Sequence, residues 1–208
     1  VPDETTVLAL VLGNDAESVA LFFAAATLER PLLLLGPDPR GWVTDPGWPR
    51  GTCLVLPPGR AHLAGEAAAR GLGVCLVAEP DSAAARGTTL SQRAPALVFL
   101  TSGSTGAPKP VHRRFDTLVG AARMLASVLP LPDGAGIIGA VPLDRALGAN
   151  NALMLATVTG RPLGLLDRFD HNDFLALCEE RAWGYWAGTP ALADVLSRST
   201  RPVPPGMP

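Results

Sequence analysis

A loop rich in hydroxyls and glycines follows an apolar run near the middle of the chain, in the stretch LVFLTSGSTGAPKP from Leu97 to Pro110. Glycines let the backbone approach an anion closely, and backbone amides and Ser and Thr hydroxyls can donate to phosphate oxygens. Lys109 adds a point charge, and it is the only lysine among the 17 basic residues of the chain. The residues predicted to bind a polyphosphate are Thr101, Ser102, Gly103, Ser104, Thr105, Gly106 and Lys109.

The spacing of this loop differs from that of a Walker loop, in which four residues separate a glycine from a glycine-lysine pair followed by serine or threonine. Gly103 and Gly106 are too close together, and Pro110 stands where the hydroxyl that binds magnesium would be. A Walker-type nucleotidase is therefore the least favoured alternative. A plain connection between a strand and a helix is a second alternative, because these residue types are common in turns.

The composition indicates a folded, soluble protein. Of the 208 residues, 48% are hydrophobic and only 17% are charged, which excludes disorder for most of the length. A net charge of -2 with scattered arginines gives no basic surface for nucleic acid. The longest apolar stretch, Ser18 to Leu28, is too short to span a bilayer, and the first residues lack the basic start of a secretory signal. We therefore expect a cytoplasmic protein.

The three cysteines are far apart and lack a nearby histidine pattern, which indicates neither a disulfide framework nor a metal site. Buried free thiols are the expectation for such residues. They are Cys53, Cys75 and Cys178.

Short apolar runs alternate with helical patterns along the chain. Runs that are apolar on both faces are typical of buried parallel strands, and strands that alternate with helices favour a doubly wound α/β fold. We therefore predict a mostly parallel sheet with helices on both faces. The predicted strands lie within residues 6–12, 31–36, 52–57, 73–79, 96–100, 136–141, 161–166 and 183–187.

Predicted helices fill most of the intervals. The first has a capping pattern in which Asn14 is the cap and Glu17 follows three residues later. The others are expected at 62–70, 115–129, 150–159, 171–182 and 190–197. The predicted domain covers residues 1–200, and the proline-rich segment 201–208 is predicted to be a tail or linker. Ligands of an open parallel sheet collect beyond the carboxyl ends of its strands, which is where the loop at Thr101 begins.

TSGSTGAPKP resembles the signature loop of the adenylate-forming, AMP-binding superfamily, which includes acyl-CoA synthetases, aryl-CoA ligases and adenylation domains of nonribosomal peptide synthetases. Three flanking stretches are also similar to segments of that family. They are VLGNDAESVALFFAAATLERPLLLL, VPLDRALGANNALMLATVTGRPLGLL and WGYWAGTPALADVL.

The resemblance implies an ATP-dependent carboxylic acid ligase. In such enzymes the loop grips the β- and γ-phosphates of ATP with Mg²⁺, while a carboxylate attacks the α-phosphorus. The products are an acyl- or aminoacyl-adenylate and pyrophosphate, and the acyl group then passes to the thiol of CoA or of the phosphopantetheine on a carrier protein. By position, Thr101 to Gly106 and Lys109 correspond to the phosphate grip.

Three positions depart from the family pattern or extend it. Pro110 replaces a glycine, and Arg145 stands where the family often has a histidine beside the incoming carboxyl group. A guanidinium can hold a carboxylate bidentately, so Arg145 is a candidate substrate-binding residue. Trp186 is a second candidate, as a wall of the acyl pocket. Strand alternation predicts that its neighbours Trp183 and Tyr185 lie on one side of the strand.

The resemblance covers only the N-terminal portion of the family's large domain. The later motif that closes on adenine and the catalytic lysine of the small C-terminal domain are absent after Gly188, so the chain is expected to contain no catalytic residue of its own. A second hypothesis follows from this absence. The chain can instead be a non-catalytic binding or scaffold half-domain that acts with a partner chain.

Overall fold

The computed structural model describes residues 7–38, 51–77, 96–101 and 109–199. The chain divides into two compact units, residues 1–116 and residues 117–208. Among the described residues, each unit contains one sheet. The predicted boundary at residue 200 lies outside the described residues and stays a prediction.

The sheet of the first unit has six strands. Its spatial order is β4-β3-β1-β2-β5-β6, and all neighbours are parallel except β5 and β6. Every residue of β1, β2 and β3 is buried, because these interior strands are covered on both faces. The strands are β1 Leu8–Val11, β2 Leu32–Leu35, β3 Cys53–Leu56, β4 Gly73–Leu76, β5 Ala96–Thr101 and β6 Lys109–Arg114.

Helices cover both faces of this sheet. The chain moves from β1 to β2 through α1 (Ala16–Ala26) in one direction across the sheet, and from β3 to β4 through α2 (Ala64–Ala69) in the other direction. Because both crossovers are right-handed, the two helices lie on opposite faces. A 3₁₀ turn, Pro58–Leu63, precedes α2. The core cluster that includes Ala67 of α2 consists of Ala9, Val11, Leu33, Leu35, Leu54, Leu56, Ala67 and Val98.

Strand β6 was not predicted from the sequence. Its residues are mostly exposed and polar, and Pro110 lacks the amide that an interior strand would need. The structure accommodates Pro110 because β6 is an edge strand, paired only with β5. The pairing is antiparallel and joins Thr101 to Lys109 and Leu100 to Pro110.

The predicted cap of the first helix is wrong by one residue. Asp15 is the N-cap, and its carboxylate accepts a hydrogen bond from the Ser18 amide at 2.7 Å. Glu17 does not reach back to the helix start. Its carboxylate instead accepts from the amide of Gly59 at 3.1 and 3.2 Å, which is a tertiary contact that local spacing does not reveal.

The second unit contains a parallel sheet of three strands in the order β8-β7-β9. The chain crosses from β7 to β8 and then back past β7 to β9, so its connecting helices also lie on opposite faces. One face packs on α5 and α6, and the other packs on α3 and α4. The elements are α3 Phe115–Val128, β7 Gly136–Gly139, a π-helical segment Gly148–Met154 that continues into α4 Leu155–Thr159, β8 Leu163–Leu165, α5 His171–Glu180, β9 Trp183–Ala187 and α6 Pro190–Ser197.

The predicted fold class is confirmed: an α/β fold with mostly parallel strands flanked by helices. Its strands are divided between two sheets, which the alternation of elements along the sequence does not indicate. None of the described helices combines the length and the apolar character needed to cross a bilayer.

Trp183 and Tyr185 lie on opposite faces of β9, so their predicted arrangement is wrong. Gly136 pairs with Trp183, but the next residue of β7, Ile137, pairs with Tyr185. Gly184 is thus the extra residue of a bulge, which breaks the alternation of side chains. Trp183 packs with α5, whereas Tyr185 packs on the face that is covered by α4.

The indole of Trp183 lies across the whole sheet of the second unit. A Cβ atom at Gly136 would be 2.6 Å from this ring, and one at Gly164 would be 2.5 Å from it. The ring therefore occupies space that two glycines on neighbouring strands leave open. Its Nε1 donates to the Leu177 carbonyl at 2.6 Å, so the buried ring is also satisfied in its one polar group.

We predict that Gly164→Ala destabilises the protein by about 1–3 kcal/mol, because the new methyl group overlaps the Trp183 ring. Gly120→Ala in α3 is the matched control. A Cβ there meets nothing within 4 Å, so the change should be neutral or stabilise by up to about 1 kcal/mol. Urea unfolding measures both changes in free energy. Equal effects of the two substitutions would show that the Trp183 ring is not held against Gly164.

Candidate functional site

The ends of the predicted phosphate loop are held together by the pairing of β5 with β6. Thr101 and Lys109 are cross-strand partners, and the Thr101 hydroxyl donates to the Lys109 carbonyl at 3.2 Å. The loop residues Ser102, Gly103, Ser104, Thr105 and Gly106 lie outside the described residues. Thr101 and Lys109 are therefore the two members of the predicted set that the structure brings together.

The side chain of Lys109 is exposed at the carboxyl edge of the sheet. No described acidic side chain lies within ion-pair distance of Lys109 or of Arg113, which shares its face of β6. Arg114, on the opposite face, is paired with Asp116 at 2.6 Å, and that hydrogen bond raises the pKa of the guanidinium. The loop thus ends at Lys109, a cation suited to an anionic ligand.

A crevice opens between the carboxyl ends of β1 and β3. The chain leaves β1 toward one side of the sheet and β3 toward the other, and ligands often bind at such a point. The open cavity there has a volume of about 550 Å³. Its lining residues are Asp15, Ala16, Glu17, Pro37, Gly59, Arg60, His62 and Leu63.

Arg60 is the centre of this crevice. Its guanidinium donates to the Asp15 carboxylate at 2.5 Å and to the Ser18 hydroxyl at 3.3 Å. The Ser18 hydroxyl in turn accepts from the amide of Gly13 at 2.8 Å. A Cβ at Gly13 would be 1.8 Å from the guanidinium, so only glycine admits it. The charged groups satisfy one another, and we assign this cluster, the Arg60 clamp, a structural role that ties the β1 and β3 loops together.

The clamp sets the charge of Asp15. Burial raises the pKa of this carboxyl, but the hydrogen bonds from Arg60 and Ser18 outweigh that effect and hold the pKa below its ordinary value of 3.8. The carboxylate is therefore charged near neutral pH. Sequence reasoning missed the clamp, because Arg60 lies 45 residues from Asp15 and looks like one more scattered arginine.

In the second unit, Arg145 follows the carboxyl end of β7 and its side chain is 56% exposed. Its Nε lies 3.3 Å from a carboxylate oxygen of Asp144, whose side chain is only 10% exposed. Burial raises the pKa of Asp144, and the neighbouring guanidinium opposes that rise. The guanidinium of Arg145 is therefore exposed, while its Nε is held by the buried carboxylate of Asp144. This arrangement suits recognition of an anion.

Trp186, the other predicted substrate contact, is largely part of the core. It packs edge-on against Phe174 with ring centroids 5.3 Å apart. Its ring also fills the space beside Gly188, where a Cβ would be 2.0 Å from the indole. The side chain stays half-buried, so its role as a pocket wall stays a prediction.

The cysteines are free, as expected, but only two of them are buried. Cys75 is exposed because it lies on the edge strand β4. Burial raises the pKa of the Cys53 thiol, and it raises that of Cys178 to about 11, so both are protonated and unreactive near neutral pH. Within the described ranges, no group of three His, Cys, Asp or Glu side chains is placed to hold a metal ion.

The described residues form an α/β protein with mostly parallel strands, and the hydroxyl- and glycine-rich stretch of the sequence begins at the carboxyl end of β5. Residues 53–204 match the model of the AMP-binding enzyme family, which is more than half of the chain. The chain belongs to that family, and the resemblance found in its sequence is confirmed.

Two curated relatives are similar to part of the chain. One is the nicotinic acid-CoA ligase pyr1 of Aspergillus fumigatus, which is 30% identical over 113 residues. The other is the nicotinic acid-CoA ligase olcI of Penicillium canescens, which is 29% identical over 109 residues. The matches cover 54% and 52% of this chain but only 19% and 20% of the relatives, so the chain spans a small part of their length.

Solved structures with the same fold include the o-succinylbenzoate CoA synthetase MenE from Bacillus subtilis in complex with an acyl-adenylate intermediate. The TM-score is 0.71 at 20% identity, and the match covers 98% of this chain and 43% of that one. ATP-bound MatB from Rhodopseudomonas palustris matches with a TM-score of 0.70 at 20% identity, covering 95% of this chain and 42% of that one. At such identities the likeness establishes the fold.

The Arg60 clamp yields a prediction about acid stability. Because the pKa of Asp15 is lowered in the folded protein, its contribution is present above pH 3.8 and is lost as the pH falls through the lower folded value. Asp15→Asn should therefore reduce the free energy of unfolding at pH 7 by about 1–3 kcal/mol. The difference from the wild type should shrink when the pH is lowered below 3.8.

Asp194→Asn is the control for that measurement. Asp194 forms an exposed pair with Arg198 at 2.7 Å, and such surface pairs contribute less than about 1 kcal/mol. Urea unfolding at several pH values compares the two variants. A loss for Asp15→Asn no larger than for Asp194→Asn would contradict the clamp.

Proposed function

We propose that the chain supplies the phosphate-binding part of an ATP-dependent carboxylic acid ligase that forms an acyl- or aminoacyl-adenylate and pyrophosphate. The observation that carries the proposal is the antiparallel pair of Thr101 and Lys109, which anchors both ends of the signature loop at the carboxyl edge of the sheet. Membership of the AMP-binding enzyme family supports the same reaction class.

The proposed reaction joins two anions, the carboxylate of the acid and the polyphosphate of ATP, so the protein must supply groups that offset negative charge. Bound side by side, the acid and the polyphosphate repel each other, so catalysis depends on donors and cations that position them and offset their charge. Lys109 carries a compact positive charge at the end of the loop, and Mg²⁺ enters with the phosphates as MgATP. The residues Ser102 to Gly106 complete the phosphate contacts in this proposal.

The acid is held by the second unit in this proposal. The Arg145 guanidinium offers two parallel donors to a carboxylate, and Asp144 restricts where that guanidinium points. Trp186 forms one wall for the acyl group. The substrate is a small aryl, amino or fatty acid, and the names of the two curated relatives make an aryl acid the first to try.

The acyl-adenylate then passes to a thiol, either of CoA or of the phosphopantetheine on a carrier protein. We favour CoA as the acceptor, because both curated relatives are named as CoA ligases. We place the reaction in the cytoplasm, where ATP and CoA are available. The alternative is a non-catalytic half-domain that binds a partner chain.

Acid-dependent exchange of labelled pyrophosphate into ATP tests this proposal, with the full-length protein and a panel of carboxylic acids. We expect exchange with at least one acid and none without an acid. Hydrolysis of ATP to phosphate without any acid would instead indicate a nucleotidase. Absence of both activities would favour the non-catalytic half-domain.

We predict that Lys109→Ala lowers kcat/KM in this exchange at least about tenfold, because a cation beside the polyphosphate is lost. The free energy of unfolding should change by less than about 0.5 kcal/mol, since the side chain is exposed. Lys109→Arg should also lose activity, because a broad guanidinium does not replace a compact ammonium.

Arg113→Ala is the matched control for the lysine variants. Arg113 is exposed on the same face of the same strand, four residue pairs further from the loop. Its loss should change the exchange rate far less than the loss of Lys109. Equal effects of both substitutions would show that Lys109 acts only through the general surface charge, and would contradict its predicted role in phosphate binding.

A further inference from the structure

The outer edge of strand β4 is open in the described part of the chain. β4 stands at one end of the six-stranded sheet and pairs there only with β3. The amide of Val77, just past the strand, donates to the Leu56 carbonyl of β3 at 3.0 Å, so the backbone groups of Val77 point inward. Backbone groups alternate in direction along a strand, so those of Cys75 point inward as well. The amides and carbonyls of Val74 and Leu76 therefore point outward, and no described residue pairs with them.

The side chains along this edge are apolar, uncharged and partly exposed. Leu76 is 55% exposed and Val77 is 36% exposed. Residues 71–77 contain no charged side chain. The nearest charge before them belongs to Arg70, which is paired with Glu66 at 2.7 Å. The edge is therefore electrically neutral.

The opposite edge of the same sheet has a different character. Strand β6 carries Lys109, Arg113 and Arg114, and it also contains Pro110. Charged side chains and proline on an edge strand oppose pairing with another sheet, and two copies of β6 would repel each other. β4 carries none of these protections. The two edges of one sheet thus differ, and only β4 is suited to pairing with a further strand.

A second copy of β4 fits this edge. Antiparallel pairing of two identical strands about a two-fold axis is self-complementary, and a neutral strand meets its own copy without repulsion. The extended backbone of residues 73–77 has Cys75 at its midpoint, so pairing over its whole length places the axis there. Val74 of one copy then lies opposite Leu76 of the other, with the outward backbone groups of both facing each other. Cys75 lies opposite its own copy in a non-hydrogen-bonded pair.

We propose that β4 is a self-association edge, at which two copies of the chain pair antiparallel about Cys75 and join their sheets into one. Each of the two Val74–Leu76 pairs exchanges both of its backbone hydrogen bonds. The side chains of such a pair lie on one face, which is the face where Val74 packs against the core that includes Ala67 of α2. The pairing therefore also covers apolar surface of Leu76 that is exposed in a single copy.

Cys75 allows this arrangement to be trapped. Residues opposite each other in a non-hydrogen-bonded antiparallel pair have Cα atoms about 4.5 Å apart, which a disulfide can bridge. With oxidised glutathione, which accepts the electron pair and the two protons, the full-length protein should form a dimer linked from Cys75 to Cys75. Non-reducing electrophoresis and peptide mass analysis detect the link. Cys53 and Cys178 are buried and should not take part.

A thiol placed elsewhere measures how often two copies are linked by collision alone. Met124 is 68% exposed on α3, so Met124→Cys in a Cys75→Ser background is the matched control. The wild type should form its link at least about tenfold faster than this variant, because pairing holds the two thiols together. Equal rates would overturn the proposal. Absence of the Cys75 link would also overturn it, whether Cys75 reacts freely with a maleimide or is covered by another segment of the full-length chain.

Sedimentation equilibrium under reducing conditions tests the pairing without a disulfide. Leu76→Lys places two ammonium groups near the axis and should raise the dissociation constant of the dimer at least about tenfold. Met124→Lys adds the same charge at an exposed apolar position of α3 and should leave that constant unchanged. A wild type that stays monomeric at all concentrations, or equal effects of the two substitutions, would overturn the proposal.

Leu76→Pro separates strand pairing from a simple apolar contact. The amide of Leu76 points away from β3, so proline removes no hydrogen bond within one copy and is tolerated on an edge strand. The Tm of this variant at low protein concentration should match that of Leu76→Lys, while the dimer should be lost. Dimerisation as tight as that of the wild type would show that the strands do not pair, and would overturn the proposal.

Discussion

The antiparallel pairing of β6 with β5 is the constraint on which the candidate site depends. All other neighbours in the six-stranded sheet are parallel, and a parallel connection would carry the chain away from the carboxyl edge. The reversal instead returns the chain to the strand that it has just left, so that Thr101 and Lys109 become partners. A loop whose two ends are fixed in this way can present its amides, hydroxyls and lysine to a single ligand.

The rest of the first unit supports that edge. Fully buried strands hold β5 in register, and the Arg60 clamp joins the neighbouring β1 and β3 loops. The charged groups of the clamp pair with one another, whereas Lys109, at the end of the loop, has no described acidic partner within ion-pair distance. In the second unit, the strands are held by packing instead of by an ion pair, because the Trp183 ring lies over two glycines on neighbouring strands. That packing fixes the central strand β7, after which Arg145 follows.

Much of this arrangement could be predicted from local sequence. Runs such as LLLL at 32–35 are apolar on both faces, and the last helix begins at Pro190 as expected. The loop was recognisable because hydroxyls, glycines and a solitary lysine occur together in one stretch. Thr101 and Lys109 are paired in the fold, whereas the loop residues between them lie outside the described ranges.

The features that sequence did not reveal depend on contacts between distant residues. Strand β6 reads as a polar loop because an edge strand needs no apolar face. Asp15 is the cap of α1 because its carboxylate accepts from the Ser18 amide, and Glu17 instead accepts from the amide of the distant Gly59. The alternation of β9 failed because Gly184 forms a bulge. The division into two sheets likewise follows from pairing, which periodicity along the chain does not encode.

Hydrogen–deuterium exchange of the full-length protein with and without MgATP tests the central claim most directly. If the loop between β5 and β6 binds the phosphates, the peptides that cover Ala96–Arg114 should gain protection on addition of MgATP, and Lys109→Ala should reduce that gain. Unchanged exchange in these peptides, with MgATP bound and protection elsewhere, would contradict the assignment of this loop.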